Sequence, residues 1–434
     1  MRILFPAAPG YGLMLPLVPL VWAARAAGHE VLVATTAHMA KVAARAGAPV
    51  VDVFPGRDVG EDLVGGPPAP APARAPAPGA DPGPGAAPGP GAAPGSGPGA
   101  EAGVPEGYWE LARAMRPFDL FTLAMTRGTI DAGRDFGADL VVHCSDHQAG
   151  RLAALALGVP ALEVGNRVSW SMRDPDVRET AQHNHRMGIV ADDNPVVLRL
   201  REELGLGARE PVLLGRVDPR APSLGGLEQE EPDPRDGVPW LPMRYVPYNG
   251  GAVLPDWALR APGDRPRICL TLGTVAPLLP GGADALRLLV EALAGLDAEV
   301  VLADDETDLT ALGPLPGNLI PAGFVPLSGI LRDCDLVVHH GGSGTTAAAL
   351  HYGVPQLVVP SGADNELCAR RVVDRGVGLS VAPQELDAAG IAEAAGRLLA
   401  DASFRQAAEE VRREMAGQPS PAELIDRITA AMAV

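Results

Sequence analysis

Aromatic residues make up only 4% of this 434-residue chain, and its 35 basic side chains are outnumbered by 53 acidic ones. The resulting formal charge of -18 repels phosphate backbones and anionic lipid, so neither nucleic acid nor a membrane surface is an expected partner. Cysteine is scarce as well. Cys144, Cys269, Cys334 and Cys368 stand far apart with no C-x-x-C spacing, which argues against a disulfide framework or a zinc site. No apolar run approaches the roughly 18 residues that a membrane span needs. The chain opens on the strand-like Arg2-Ile3-Leu4-Phe5 rather than a basic leader, so the expected location is cytoplasmic.

What is present is enough apolar material for two cores: 47% of the residues are hydrophobic, and the length exceeds one ordinary domain. Arg2 to Ala7 reads as a buried strand, followed by Leu17, Leu20, Val21 and Ala24 at the spacing of a helical stripe that Gly28 would end. Glu30 to Thr35, Leu140 to Val142 and Pro160 to Val164 return to strand-like runs, and such alternation implies a parallel α/β sheet. The pattern restarts with Arg267 to Leu272, Glu299 to Leu302, Asp335 to His339 and Gln356 to Val359. The expected division is a first domain over 1–215, an exposed Pro/Gly-rich connection over 216–264, a second domain over 265–417 and a terminal helix within 418–434. Within the first domain, 66–103 is an insertion of Ala, Pro and Gly that has little to bury. Two such domains create a cleft where a ligand is expected.

The chemistry concentrates in Asp335-Leu-Val-Val-His-His-Gly-Gly-Ser-Gly-Thr-Thr346, which runs from a strand through glycines into an Ala-rich helix. Backbone N–H groups and a positive helix end converge there on an anion. Glycine removes the Cβ that would keep a phosphate off the backbone, Ser343 and Thr345 add hydroxyls, and His340 adds a ring N–H. No Gly-Lys-Ser/Thr follows, so a diphosphate leaving group fits better than triphosphate hydrolysis.

These residues, with Val325-Pro326-Leu327 before them and Pro360-Ser-Gly-Ala-Asp-Asn365 after, resemble the donor signature of actinobacterial natural-product glycosyltransferases of glycosyltransferase family 1. The likeness extends to 2–36, 244–250 and 270–274. It implies a GT-B fold, two Rossmann-like α/β domains facing across a cleft. It also implies transfer of a deoxysugar from a thymidine diphosphate (TDP) sugar to a small aromatic, polyketide-like acceptor, with neither cofactor nor metal and with a homodimer as an open assembly state. By the same likeness Thr274, His340 and the segment Gly342, Ser343, Gly344 and Thr345 hold the diphosphate, Val325 lies at the nucleotide base, and Asp364 with Asn365 faces the sugar. Asn365 replaces the usual Gln and is one methylene shorter, which favours a sugar with fewer hydroxyls. Asp333-Cys334-Asp335 mimics a metal-binding carboxylate pair only superficially.

The likeness breaks at the base. Relatives that make O-glycosides place a histidine in the loop after the first strand, where this chain has Leu13. They orient it with an aspartate after a later strand, which matches Asp146 here and makes Asp146 the leading base, with His147 and His143 as fallbacks. A phenol held by a carboxylate is nucleophilic at its ortho carbon as well as its oxygen, so a C-glycoside and an O-glycoside both stay open. Leu13, Trp109, Phe118 and Trp170, with Tyr108, Met115, Phe121 and Met172 nearby, are candidates for an apolar acceptor pocket, although such residues also serve as core. Asp146 and Asp364 can each also be read as a helix N-cap. Gly10-Tyr11-Gly12 after the first strand leaves a nicotinamide oxidoreductase as a rival, weakened by Leu15 where a third glycine belongs. A noncatalytic sugar-nucleotide binding protein is a third reading.

Overall fold

The computed structural model describes residues 1–65, 104–167, 171, 173, 194–260, 262–274, 281–304 and 312–433. The Ala/Pro/Gly insertion, Trp170 and Met172 lie outside these residues. Two sheets carry the fold. The first has the order β3-β2-β1-β4-β5-β6-β8-β7 and the second the order β11-β10-β9-β12-β13-β14. In the first, β1 is Arg2–Pro6, β2 Glu30–Thr35, β3 Val50–Asp52, β4 Leu140–Cys144, β5 Ala161–Val164, β6 Leu213–Asp218, β7 Glu231–Pro232 and β8 Pro239–Pro242. In the second, β9 is Arg267–Thr271, β10 Glu299–Leu302, β11 Leu319–Pro321, β12 Leu336–His339, β13 Gln356–Val358 and β14 Gly378–Ser380. Among the described strands, only the edge strand β7 pairs antiparallel.

The central strands are apolar on both faces, as a parallel sheet covered by helices on both sides requires. In β1, Ile3 and Phe5 enter one core cluster and Leu4 the opposite one. In β9, Ile268 and Leu270 enter one cluster and Cys269 another. This is the two-residue period of strand side chains, applied once per domain.

The expected exposed connection is shorter than the composition indicated. Strands β6 to β8 occupy 213–242 and extend the first sheet, so the first domain does not end at 215. Some of its polar residues pair with one another. Asp233 accepts the indole N–H of Trp240 at 2.9 Å and is paired with Arg235 at 2.6 Å. Asp218 and Arg220, both without exposure, pair at 2.7 Å. Ion pairs thus organise part of an acidic, Gly-rich segment, while Glu228 to Glu230 stay exposed.

The terminal helix spans Pro421–Met432, opens with a capping box between Ser420 and Glu423, and buries Leu424, Ile425 and Ile428. Those three join the first-domain cluster, against the helix Val18–Ala26. The chain reaches it through Gln418, whose amide donates to the Arg220 carbonyl at 2.7 Å, and Pro419, whose carbonyl accepts from the Arg244 N–H at 2.7 Å. Burying three aliphatic side chains stabilises this return crossing by roughly 1.5–3 kcal/mol each.

Candidate functional site

In both sheets the strand order reverses beside the first strand, between β1 and β4 and between β9 and β12. A ligand crevice forms beyond the carboxyl ends of strands at such a switch point, because the flanking connections leave in opposite directions. The Leu13 loop, Thr274, Asp146 and the glycine turn follow these four strands, and Asp364 with Asn365 follows the adjacent β13.

At the second switch point, His339 ends β12 and is fully buried. Its Nδ1 accepts the Gly341 N–H at 3.1 Å and its Nε2 lies 2.9 Å from Gln356 Oε1. Nε2 therefore carries the proton and donates to Gln356, and the ring pins the glycine turn. Burial, with neighbouring His340, lowers its pKa to about 3. His339 is structural.

His340 is the ring offered to the cleft. An added Cβ at Gly342 would come within 2.4 Å of its Nε2, and one at Gly273 within 2.5 Å of its Cε1. These two glycines form the slot that holds the imidazole, and Gly273 also needs the left-handed region with φ +71. Nδ1 of His340 is buried without a hydrogen-bond partner among the described residues, a position that a ligand acceptor would satisfy. Burial lowers its pKa to about 4 against an opposing pull from Asp364. It is thus a neutral N–H donor at pH 7.

The helix Ser343–Tyr352 starts at Gly342 with no side-chain cap and no acidic residue in its first turn. Its positive end is uncompensated, as an anion site requires. An added Cβ at Gly344 would meet nothing within 4 Å, so protein packing does not demand glycine there, whereas close approach of a phosphate would. Ser343 and Thr345 are half-buried in the same turn, and Thr274 is half-buried at the end of the β9 connection. Thr346 is turned inward, its hydroxyl donating to the Gly342 carbonyl at 3.0 Å.

Asp364 and Asn365 lie in the first turn of the helix Ala363–Asp374, whose N-cap is Gly362. The N-cap reading of Asp364 is thereby removed. Gly341, with φ +88, lets this pair close on the glycine turn: an added Cβ would sit 2.8 Å from the Asn365 carbonyl oxygen. The Asn365 amide donates to Ser361 Oγ at 2.8 Å. Val325 is buried in the second domain's core, so its main chain, not its side chain, is what a base could meet. Asp335 is a structural residue: its carboxylate accepts the Arg267 N–H at 2.9 Å and pairs with Arg405 at 3.0 Å.

At the first switch point, Asp146 follows β4 and is not the N-cap either, since the helix Gln148–Leu157 is entered through His147. Its Oδ2 accepts from Arg167 Nε at 3.1 Å and Nη2 at 2.9 Å, and its Oδ1 accepts the Ser145 hydroxyl at 3.2 Å. The loop of Leu13 stands beside it, with the Cys144 thiol donating to the Leu13 carbonyl at 3.1 Å. His147 is 1% exposed, and desolvation beside His143 lowers its pKa to about 3. His143 donates its Nδ1–H to the Cys144 carbonyl at 2.9 Å, and burial lowers its pKa to about 4. Both fallback bases are interior rings, as buried as Asp146 itself.

The aromatic candidates divide differently. Phe118 packs edge-on to Phe121 in the helix Pro117–Phe136, inside the first domain's core. Trp109 stacks edge-on with Tyr108 and carries the Arg57 guanidinium 4.7 Å from its ring centroid. Both rings pack with the first domain's core cluster, against which Leu13 also packs. Sequence reading missed Arg167, which follows β5 and pairs with Asp146 and with Asp364 across the cleft. The available signal was a cation at the carboxyl end of a strand next to the switch point.

Comparison with known proteins agrees with this geometry. The erythromycin biosynthesis protein CIII-like profiles match, the N-terminal domain over residues 106–273 and the C-terminal domain over 287–431. The L-demethylnoviosyl transferase of Streptomyces niveus is 36% identical, with 99% of this chain and 98% of that protein covered. The aclacinomycin-T 2-deoxy-L-fucose transferase of Streptomyces galilaeus is 32% identical over 99% of this chain and 96% of its own. Among solved structures, the glycosyltransferase SsfS6 of Streptomyces sp. SF2575 in complex with thymidine diphosphate superposes with a TM-score of 0.69 at 30% identity, covering 99% of both chains.

Proposed function

Since the chain belongs to the erythromycin biosynthesis protein CIII-like family and is a GT-B glycosyltransferase, we propose that it moves a deoxysugar from a TDP-sugar to an aromatic, polyketide-like acceptor with inversion and without a metal. Family membership removes the nicotinamide oxidoreductase alternative. The observation that carries the reading is the His340 slot: a neutral, partly orphaned imidazole held by Gly273 and Gly342 at an uncapped helix start. Names of relatives that specify a 2-deoxysugar, and a neighbour solved with thymidine diphosphate, supply the substrate class.

The two switch points divide the labour. TDP leaves toward the second domain, where the amides of Gly342 to Thr345, the helix end and the His340 N–H offset the charge developing on the diphosphate. The acceptor approaches from the first domain, where Asp146 takes its proton. The new bond to the anomeric carbon forms on the face opposite the departing C–O bond, whose electron pair goes to TDP, and the configuration inverts. Asp335, engaged by Arg267 and Arg405, is committed to the fold rather than to a metal. Asp146 in place of a histidine base keeps C-glycoside formation open for a phenolic acceptor, because the phenolate carries charge on its ortho carbon as well.

The test is calorimetric titration of TDP, in chelator, into wild type and His340→Ala. Binding that is present in wild type and lost in the variant supports a metal-free donor site. Absence of TDP binding by wild type overturns the donor assignment.

A further inference from the structure

Arg167 connects two carboxylates that belong to different domains. Its Nε and Nη2 bond Asp146 Oδ2 at 3.1 and 2.9 Å, and its Nη1 bonds Asp364 Oδ2 at 2.5 Å. Its side chain is 12% exposed, against 1% for Asp146 and 41% for Asp364. The planar guanidinium has five N–H donors in a fixed fork, so one side chain can serve both acceptors at once. Asp146 comes from the end of β4 and Asp364 from the first turn of the helix Ala363–Asp374. Leu367 of that same helix packs into the first domain's core cluster, which holds the two partners at bonding distance.

We infer that Arg167 is a positioning residue that links occupancy of the donor sugar site to release of the base. The inference rests on the reading that Asp364 faces the sugar and Asp146 the acceptor. Asp364 gives Oδ2 to Arg167, and a sugar hydroxyl that donates to that same oxygen competes with this bond. On the other side, Asp146 Oδ2 already accepts two N–H bonds from Arg167, and Oδ1 accepts the Ser145 hydroxyl. Three of the roughly four acceptor positions of this carboxylate are thereby taken, so an acceptor hydroxyl competes with Arg167 for Asp146. Seating the sugar loosens the Asp364 anchor of Arg167, which gives the guanidinium freedom to move relative to Asp146. An acceptor that arrives before the sugar therefore meets a base most of whose acceptor positions are taken.

Coupling of this kind is measurable without knowing the natural sugar. TDP and TDP-rhamnose are titrated calorimetrically into wild type, Arg167→Gln, Arg167→Lys, Asp364→Asn and the Arg167→Gln/Asp364→Asn double variant, with circular dichroism melts confirming that each is folded. Arg167→Gln is expected to tighten TDP-rhamnose relative to TDP by about fivefold or more, the low end of site-to-site coupling, while TDP alone stays within about twofold. Arg167→Lys, which keeps the charge but loses the fork, falls between. In the Asp364→Asn background the gain disappears. Equal shifts for both ligands, weaker TDP-rhamnose binding in Arg167→Gln, or a gain that persists without Asp364 would each overturn the inference. Failure of the underlying donor reading gives a different signature, wild type that does not bind TDP. In that case the nucleotide-free thermal cycle over Arg167→Gln and Asp364→Asn still decides whether the cross-domain bond exists, and additive melting shifts refute it.

Discussion

Gly342→Ala isolates the His340 slot from everything else in the turn. Gly342 has φ -61 and ψ 138, a conformation that alanine adopts without strain, and the substitution keeps the backbone N–H. Gly273 and Gly341, at φ +71 and +88, would add backbone strain and confuse the result. The new Cβ would lie 2.4 Å from His340 Nε2 and 2.8 Å from Cε1, well inside contact distance, so the imidazole must swing out of its slot. The cost to folding is small, below about 1 kcal/mol for a glycine-to-alanine change at an N-cap. The cost to the donor is the loss of a hydrogen bond to a charged acceptor, about 1.5–3 kcal/mol. That corresponds to TDP binding weakened by roughly 10- to 150-fold. Calorimetric titration of TDP, with a thermal melt as the folding control, measures both quantities. The decisive comparison is the double variant with His340→Ala, in which the added methyl has no ring left to displace and should cost nothing further. Gly342→Ala that binds TDP within about twofold of wild type, or effects that add in the double variant, would refute the slot.

Acid should destabilise the fold through its interior histidines. His143 and His340 are lowered by burial to about 4, and His147 and His339 to about 3, from an ordinary 6.5. The unfolded chain then binds more protons than the folded one between these limits, so stability is full above about pH 6.5 and is lost as pH falls toward about 4. Unfolding at pH 5.5 should take up about three or more protons, read from calorimetric enthalpies in buffers of different ionisation heat, and uptake below about one proton would contradict it. Asp146→Asn is expected to leave TDP affinity unchanged and to lower transfer by about 100-fold or more, the usual contribution of a general base; near-normal turnover would remove Asp146 from that role.

Much of this protein was legible locally. The terminal helix, the strand at each switch point and the glycine turn after β12 follow from short-range rules: apolar period, capping residues and the need for a missing Cβ. A resemblance carried by a few such motifs therefore reached the family. The neighbouring histidines show where local rules stop, because His339 and His340 share one pattern yet one ring pins the turn while the other faces the ligand slot. The strands β6 to β8 were hidden because an acidic, Gly-rich composition does not reveal that ion pairs will tie it to a sheet edge. Arg167 was hidden for a stronger reason. Its partners lie 21 residues before it and 197 residues after it in the chain, and local sequence rules carry no information about which charges two separately folded domains will bring within bonding distance.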